Sequence, residues 1–336
     1  MSQETVADHS GTFAEQLRSV LKLDPAQPAL EHVQRWYTWG ELNRCIDQLD
    51  IALEQVGARG AARVGILIRS RPGSYAAIAG LLASQRVLVT LNPILPADRL
   101  CEDVKSLRLP VLVGERDDLA IPGVLDVLRA SGTAVIELAP DLSSVRTLPS
   151  FERIRGSDLL MEDAGTAIVM LTSGTTGKPK RVPLARKSLE RALMGALHYE
   201  RGHGEDPSLR LRSGVTLIAS PLTHIGGMYF IGQTILSGRK ACLLEKFTVQ
   251  EWRDLIVRHQ IRISNIVPAA LRMILEANVA KEDLKSLIAL RTGTAPLDPA
   301  ITDEFLRRYD LPVLQTYGAT EFAGAVAGWG IEDFRQ

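Results

Sequence analysis

The run Leu171-Thr-Ser-Gly-Thr-Thr-Gly-Lys-Pro-Lys180 sets hydroxyls, glycines and two lysines directly behind the apolar stretch Ala167-Ile-Val-Met-Leu171. Gly174 and Gly177 let main-chain N–H groups approach a ligand with no Cβ in the way. Thr172, Ser173, Thr175 and Thr176 add hydroxyl donors, and Lys178 and Lys180 add positive charge. Together these are the means by which a backbone turn grips polyphosphate. The spacing is not that of a Walker A loop, because Gly174 and Gly177 are three apart and Lys178 is followed by Pro179. Pro179 also discourages a helix from starting on the loop. The other reading of such a cluster is a Ser/Thr/Gly surface turn between two strands.

Four further segments follow a recognisable order: Trp36-Tyr-Thr-Trp-Gly-Glu-Leu42 before the loop, then Pro221-Leu-Thr-His-Ile-Gly-Gly227, Thr292-Gly-Thr-Ala-Pro296 and Gln315-Thr-Tyr-Gly-Ala-Thr-Glu321 after it. With the glycine-rich run, they resemble the signatures of the adenylate-forming superfamily: acyl- and aryl-CoA synthetases, nonribosomal peptide adenylation domains and beetle luciferases. The resemblance implies attack of a carboxylate on the α-phosphate of ATP, giving an acyl-adenylate and pyrophosphate, with a thiol such as coenzyme A or a carrier-protein thiol then taking the acyl group. It also implies roles. The nucleotide would be held by Thr172, Ser173, Gly174, Thr175, Thr176, Gly177, Lys178 and Lys180, and by Gly293, Thr294, Ala295 and Pro296 on the adenine side. Gln315, Thr316, Tyr317, Gly318 and Thr320 complete that set, with Tyr317 stacking on adenine and Thr320 touching the α-phosphate. Glu321 is the implied Mg2+ ligand. The acid would be bordered by His224, Gly226, Gly227, Met228 and Tyr229, together with Val267, Thr294, Ala319, Phe322 and Ala323. The implied catalytic group is Thr172, Lys180, His224, Thr320 and Glu321. Each has a plainer reading: Glu321 as a surface cap, Tyr317 as core, His224 as a satisfied histidine at a helix start, and Met228 to Phe230 as one face of a buried helix.

Amino-acid-activating relatives place an Asp in the segment that here reads His224-Ile-Gly-Gly-Met, and no acid occurs from Thr223 through Leu236. An unpaired ammonium in an apolar pocket is costly, so an apolar fatty or aryl acid is expected in place of an amino acid. The chain departs from the family pattern at Arg181, where glycine is usual, which either alters the loop exit or adds a phosphate-facing charge. At Thr294 it replaces the second glycine of Gly-Gly-Ala-Pro. It also stops at Gln336, before the family's ribose-binding acid motif and mobile C-terminal domain, so the chain is expected to be the N-terminal AMP-binding part of a synthetase and poorly active alone. The remaining alternatives are a nucleotide-binding module without turnover and a phosphoryl-transfer enzyme, the latter lacking its motifs.

Composition fits this. With 39 basic and 39 acidic residues, no whole-chain field attracts nucleic acid or an anionic membrane. Cys45, Cys101 and Cys242 show no C-x-x-C spacing and read as thiols of a cytoplasmic protein rather than a disulfide framework or zinc site. The acidic start is not a signal peptide, and no apolar stretch is long enough to span a bilayer. A length of 336 residues suggests two cores. Strand and helix alternate in an α/β pattern, with strands predicted at 63–68, 87–91, 110–113, 133–138, 215–219, 241–244, 261–267, 287–290 and 312–314. Two subdomains of mainly parallel βαβ sheets follow from the resemblance, approximately 62–196, and 10–61 with 197–330. The polar stretch from Arg201 to Arg212 reads as a loop.

Overall fold

Short runs of Val, Leu and Ile that are apolar on both faces form strands buried from both sides. A computed structural model describes residues 12–161, 163–172, 180–201 and 209–334. The chain begins α1 (Phe13–Leu21), β1 (Pro28–His32), β2 (Arg35–Thr38), α2 (Trp39–Val56), β3 (Arg63–Leu67), α3 (Pro72–Leu82), β4 (Val87–Leu91), α4 (Ala97–Leu107) and β5 (Val111–Gly114). It continues α5 (Arg116–Leu119), α6 (Val124–Ser131), β6 (Ala134–Leu138), β7 (Val145–Thr147), β8 (Thr166–Thr172), β9 (Lys180–Ala185), α7 (Arg186–Arg201), β10 (Val215–Ile218) and α8 (Ile225–Leu236). Then come β11 (Lys240–Leu243), α9 (Val249–His259), β12 (Ile263–Asn265), α10 (Pro268–Glu276), β13 (Ala289–Thr292), α11 (Pro299–Tyr309), β14 (Val313–Ala319), β15 (Gly324–Gly328) and α12 (Ile331–Phe334). Turns of 3-10 helix occupy Lys281–Leu284 and Thr320–Phe322.

The strands form a seven-stranded sheet, β7-β6-β5-β3-β4-β8-β9, and an eight-stranded sheet, β15-β14-β13-β12-β10-β11-β1-β2. Both are parallel inside, with antiparallel pairs only at their edges. The opening strands β1 and β2 lie in the second sheet, beside β11. No helix among the described residues is long and apolar enough to cross a membrane.

Helix starts follow the sequence closely. Thr38 and Glu41 satisfy each other's backbone N–H groups at the head of α2, at 2.7 and 3.1 Å. At α9, where Thr248 and Glu251 have capping-box spacing, only half of the box forms: the Thr248 hydroxyl accepts from the Glu251 N–H at 3.2 Å. Asp298 accepts from the Ala300 N–H at 3.0 Å, with Pro299 in the first turn of α11.

Every residue of α3, Pro-Gly-Ser-Tyr-Ala-Ala-Ile-Ala-Gly-Leu-Leu, is buried, as a helix without a polar face must be. It packs on β3 and β4 of one sheet and on α8, which in turn packs on β10 and β11 of the other. These helices therefore form a layer between the sheets. The largest apolar cluster spans it, joining Ile66 and Val113 to Ile218 and Leu243 through Ile78 and Ile231. Two outer clusters cover the far faces, Trp252, Leu271 and Phe305 on one sheet and Leu100, Val104 and Leu128 on the other. The two cores suggested by length become three because the central one is shared.

One arginine ties the sheets together at the head of α3. Arg71 donates from Nη1 to Glu115 Oε2 at 2.8 Å and from Nε to Glu245 Oε1 at 2.7 Å. Glu115 follows β5 in the seven-stranded sheet and Glu245 follows β11 in the eight-stranded one. Burial pushes the Glu115 carboxyl up, and the Arg71 hydrogen bond pulls it back. Arg71→Met would leave a carboxylate exposed by only 4% without its cation, and should lower unfolding free energy by roughly 2 to 4 kcal/mol. Without Arg71 the carboxyl stays protonated to higher pH, so the ionised form is penalised more as pH rises. Denaturant unfolding should show the largest deficit near neutrality, shrinking toward about pH 5. A pH-independent deficit would exclude Glu115 as its source.

Candidate active site

Strands β10, β12, β13 and β14 run parallel, with Ile218 opposite Asn265, Asn265 opposite Arg291, and Thr292 opposite Gln315. Their C-terminal ends therefore share one rim. From β10 the chain moves to β11 on one side and then crosses to β12 on the other, and such a reversal opens a crevice outside the strand ends. Its two banks are the starts of α8, preceded by His224, and of α10, preceded by Val267. Farther along lie the 293–298 segment after β13 and the end of β14.

The seven-stranded sheet faces this rim through its edge hairpin. In β8 and β9, Thr172 pairs with Lys180, and the Thr172 hydroxyl donates to the Lys180 carbonyl at 3.3 Å. Lys180 is exposed. The turn Thr320–Phe322 packs against β9, so the strand leaving the glycine-rich connection meets the segment carrying Thr320 and Glu321. Ser173, Gly174, Thr175, Thr176, Gly177 and Lys178 lie outside the described residues, as does most of the loop expected from Arg201 to Arg212. Arg181 does not add a charge toward phosphate. Alternation along β9 turns it away from Lys180, and its guanidinium donates to the Thr90 carbonyl at 2.5 Å and to the Asp103 carboxylate.

Strand β14 extends past the predicted Pro312–Leu314 to Ala319, because Thr316 to Ala319 pair with β15. The small-residue run 323–328 is largely that partner strand. Tyr317 is 67% exposed and Phe322 50% exposed. Gln315 is exposed, its carbonyl accepting from the Trp329 N–H at 3.0 Å. Gly318, Ala319 and Thr320 are half-buried. The Glu321 carboxylate is exposed and has no partner among the described residues. Ala323 is fully buried.

The loop after β13 is held tightly. A Cβ on Gly293 would lie 2.7 Å from Thr316 Oγ1 and 2.8 Å from Thr316 O, so only glycine fits there. That hydroxyl donates to the Thr292 carbonyl at 3.1 Å. Thr294 adopts φ 75°, a left-handed conformation that is strained for a β-branched side chain and at ease for glycine. Ala295 and Pro296 are exposed.

On the opposite bank His224 is exposed and caps α8 without a side-chain hydrogen bond. A Cβ on Gly227 would meet the Pro221 carbonyl at 2.5 Å, so this glycine seats the helix on the preceding loop. Gly226 has room, its nearest neighbour being Ser220 Oγ at 3.8 Å. Met228 is buried in the central core. Tyr229 is half-buried, with its hydroxyl donating to the Ala192 carbonyl of α7 at 3.4 Å and its ring beside Gly324. Sequence reasoning passed over Asn265 and Arg291, which stand in register at the rim. Their signal was a polar side chain at or near the C-terminal end of a short strand.

A sequence model described as "AMP-binding enzyme" matches residues 17–335. 4-Coumarate–CoA ligase 3 of Arabidopsis thaliana is 28% identical over 310 residues, covering 86% of this chain and 52% of that protein. The fatty acid–[acyl-carrier-protein] ligase ScoC of Streptomyces coeruleorubidus is 29% identical over 300 residues, covering 89% and 56%. The chain thus spans about half the length of these curated relatives. Among solved structures, ATP-bound MatB from Rhodopseudomonas palustris superposes with a TM-score of 0.75 at 20% identity, covering 94% of this chain and 62% of that one.

Two adjacent substitutions should have opposite signs. Gly293→Ala drives a Cβ into the β14 backbone and should cost about 1 to 3 kcal/mol. Thr294→Gly relieves the left-handed strain and should gain up to about 1 kcal/mol after the added freedom of the unfolded chain is subtracted. Thermal unfolding of both variants checks this, and destabilisation by Thr294→Gly would show that contacts of the Thr294 side chain outweigh its strain.

Proposed function

The chain belongs to the AMP-binding, adenylate-forming enzyme family, and from that premise we propose that it binds ATP and a carboxylic acid for AMP-forming activation of the acid, with transfer to coenzyme A or a carrier-protein thiol. The observation carrying this reading is the packing of Thr320–Phe322 on β9, which sets a carboxylate with no partner among the described residues beside the strand that leaves the glycine-rich connection.

Carboxylate and triphosphate are both anions, so their reaction needs alignment and preorganised positive or hydrogen-bonding groups. Residues 172–180 would take the β- and γ-phosphates, with Lys180 as a cation at the mouth. The Thr320 hydroxyl would follow charge at the α-phosphate. Tyr317 offers an exposed ring for adenine, opposite the loop held close to β14 at Gly293. His224 and Val267 border the acid. Magnesium is commonly held by one or two carboxylates together with substrate phosphates, and the exposed Glu321 is a hard-oxygen donor free to serve. When bound, the ion would neutralise charge on the pyrophosphate leaving group. The names of the relatives, a CoA ligase and an acyl-carrier-protein ligase, support a thiol acceptor. The lack of any acid from Thr223 through Leu236 supports a substrate without an ammonium group.

Incubation with ATP and a panel of carboxylic acids should yield AMP and pyrophosphate only when an accepted acid is present. Glu321→Gln should lower that rate by ~10² to 10³, the scale for one preorganised electrostatic group. ADP formation, or turnover indifferent to the acid, would overturn the assignment. In calorimetry, Gly177→Val should weaken ATP binding by ~1 to 3 kcal/mol. Unchanged affinity in a folded variant would remove the glycine-rich connection from the site.

A further inference from the structure

Beneath α8 lies a cavity of about 430 Å³ that extends along the strands of the eight-stranded sheet. Helix α8 starts at the C-terminal rim, next to His224, and returns to the N-terminal rim. Phe230, Gln233 and Ser237, spaced along one helix face, form the roof. The floor includes Asn265 and Arg291, paired across β12 and β13. One end of the cavity therefore abuts the crevice in which the acid is proposed to react.

Its charge is one-sided. Arg212, Arg239, Arg262 and Arg291 line it, and no Asp or Glu does. Several buried or half-buried arginines elsewhere are matched by carboxylates, Arg69 with Asp118, Arg71 with Glu115, Arg86 with Asp50 and Glu54, and Arg181 with Asp103, while the half-buried Arg186 is met by the Arg86 and Thr166 carbonyls. Arg239, Arg262 and Arg291 have no side-chain hydrogen bond or ion pair with any described residue. Arg239 and Arg291 are half-buried and Arg262 is exposed; unmatched guanidiniums lining one cavity repel one another, and a bidentate anion would lower that cost. Arg291 lies one residue from the end of β13. Arg262 is three residues before Asn265, roughly 10 Å farther down the strand direction, so cations stand at both short and longer reach from the reacting end.

We propose that the acid activated here carries a second anionic group at its far end, a dicarboxylic acid in the simplest case, with Arg291 as the specificity-determining residue closest to the reacting carboxylate and Arg239 and Arg262 serving longer chains. This rests on the adenylation reading above and replaces the wholly apolar acid that the sequence suggests.

The test uses paired acyl-sulfamoyl-adenosine mimics of the adenylate, ending in carboxylate or in methyl at equal chain length, titrated by calorimetry alongside ATP. At the best chain length, the carboxylate-ended mimic should bind about ten- to a hundredfold tighter, the scale of charge-assisted hydrogen bonds. Arg291→Met should bring the ratio at short chain lengths close to one, and Arg291→Lys should restore part of it, a rescue that a purely structural role would not give. Methyl-ended mimics binding as well as or better than carboxylate-ended ones, with ATP still bound, would overturn this proposal and leave the adenylation reading standing. Failure of ATP and of every mimic to bind would overturn both. The comparison in the unsubstituted protein decides the matter even if the Arg291 variants do not fold.

Discussion

The shared apolar layer is the constraint on which the site depends. Helices α3 and α8 have too little polar surface to face water, and each is covered by a sheet, by the other helix and by flanking helices, α2 on α3 and α1 and α7 on α8. That requirement places the two sheets back to back across one core, and it is this docking that brings β9 against Thr320–Phe322. Neither the hairpin edge nor the end of β14 makes a site alone. Small residues keep the layer thin: a Cβ on Gly80 would stand 3.2 Å from Ile46 Cγ2, and one on Gly232 3.0 Å from Leu193 Cδ1.

Charge follows the same division. Between the sheets, carboxylates that lose water are met by guanidiniums: Asp118 is 2% exposed and held by three contacts from Arg69 at 2.6 to 3.1 Å, and Glu115 is held by Arg71. Burying ions costs several kcal/mol each, and pairing mainly recovers that cost, so these pairs contribute orientation more than net stability. At the rim the pattern reverses. Lys180 and Glu321 are exposed, and Arg239, Arg262 and Arg291 under α8 have no carboxylate partner among the described residues.

The parallel strands were legible because a strand buried on both faces is apolar at every position; 87–91 was read to the residue, and most others to within two. Less legible was everything decided by a partner distant in sequence. Strand β14 reads as ending at Leu314 because Gln-Thr-Tyr-Gly carries no strand pattern of its own, and only pairing with β15 extends it. Arg181 reads as a possible phosphate contact until Asp103, on a helix from the first half, takes its charge. The motifs mark the segments on which the proposed site draws, while the cavity under α8 went unseen because its arginines come from four separate places in the chain, each carrying one.

Backbone conformation adds a last step. Thr294 at φ 75° and Ala323 at φ 58° flank β14 at the ends of the segments closest to it, and both are non-glycine residues in the left-handed region. Such residues cost of order 1 kcal/mol or more and persist only where surrounding contacts over-determine them. Here the contacts are visible: Gly293 lies flush on Thr316, the Thr316 hydroxyl ties back to Thr292, and Ala323 is fully buried while its N–H donates to the Thr320 carbonyl at 2.9 Å. The strain is therefore held by β14 itself, and it fixes the directions in which the 294–296 loop and the Thr320–Phe322 turn leave the sheet. A rim built this way presents Tyr317, Thr320 and Glu321 in one arrangement before any ligand arrives, which is what a site acting by preorganised electrostatics requires.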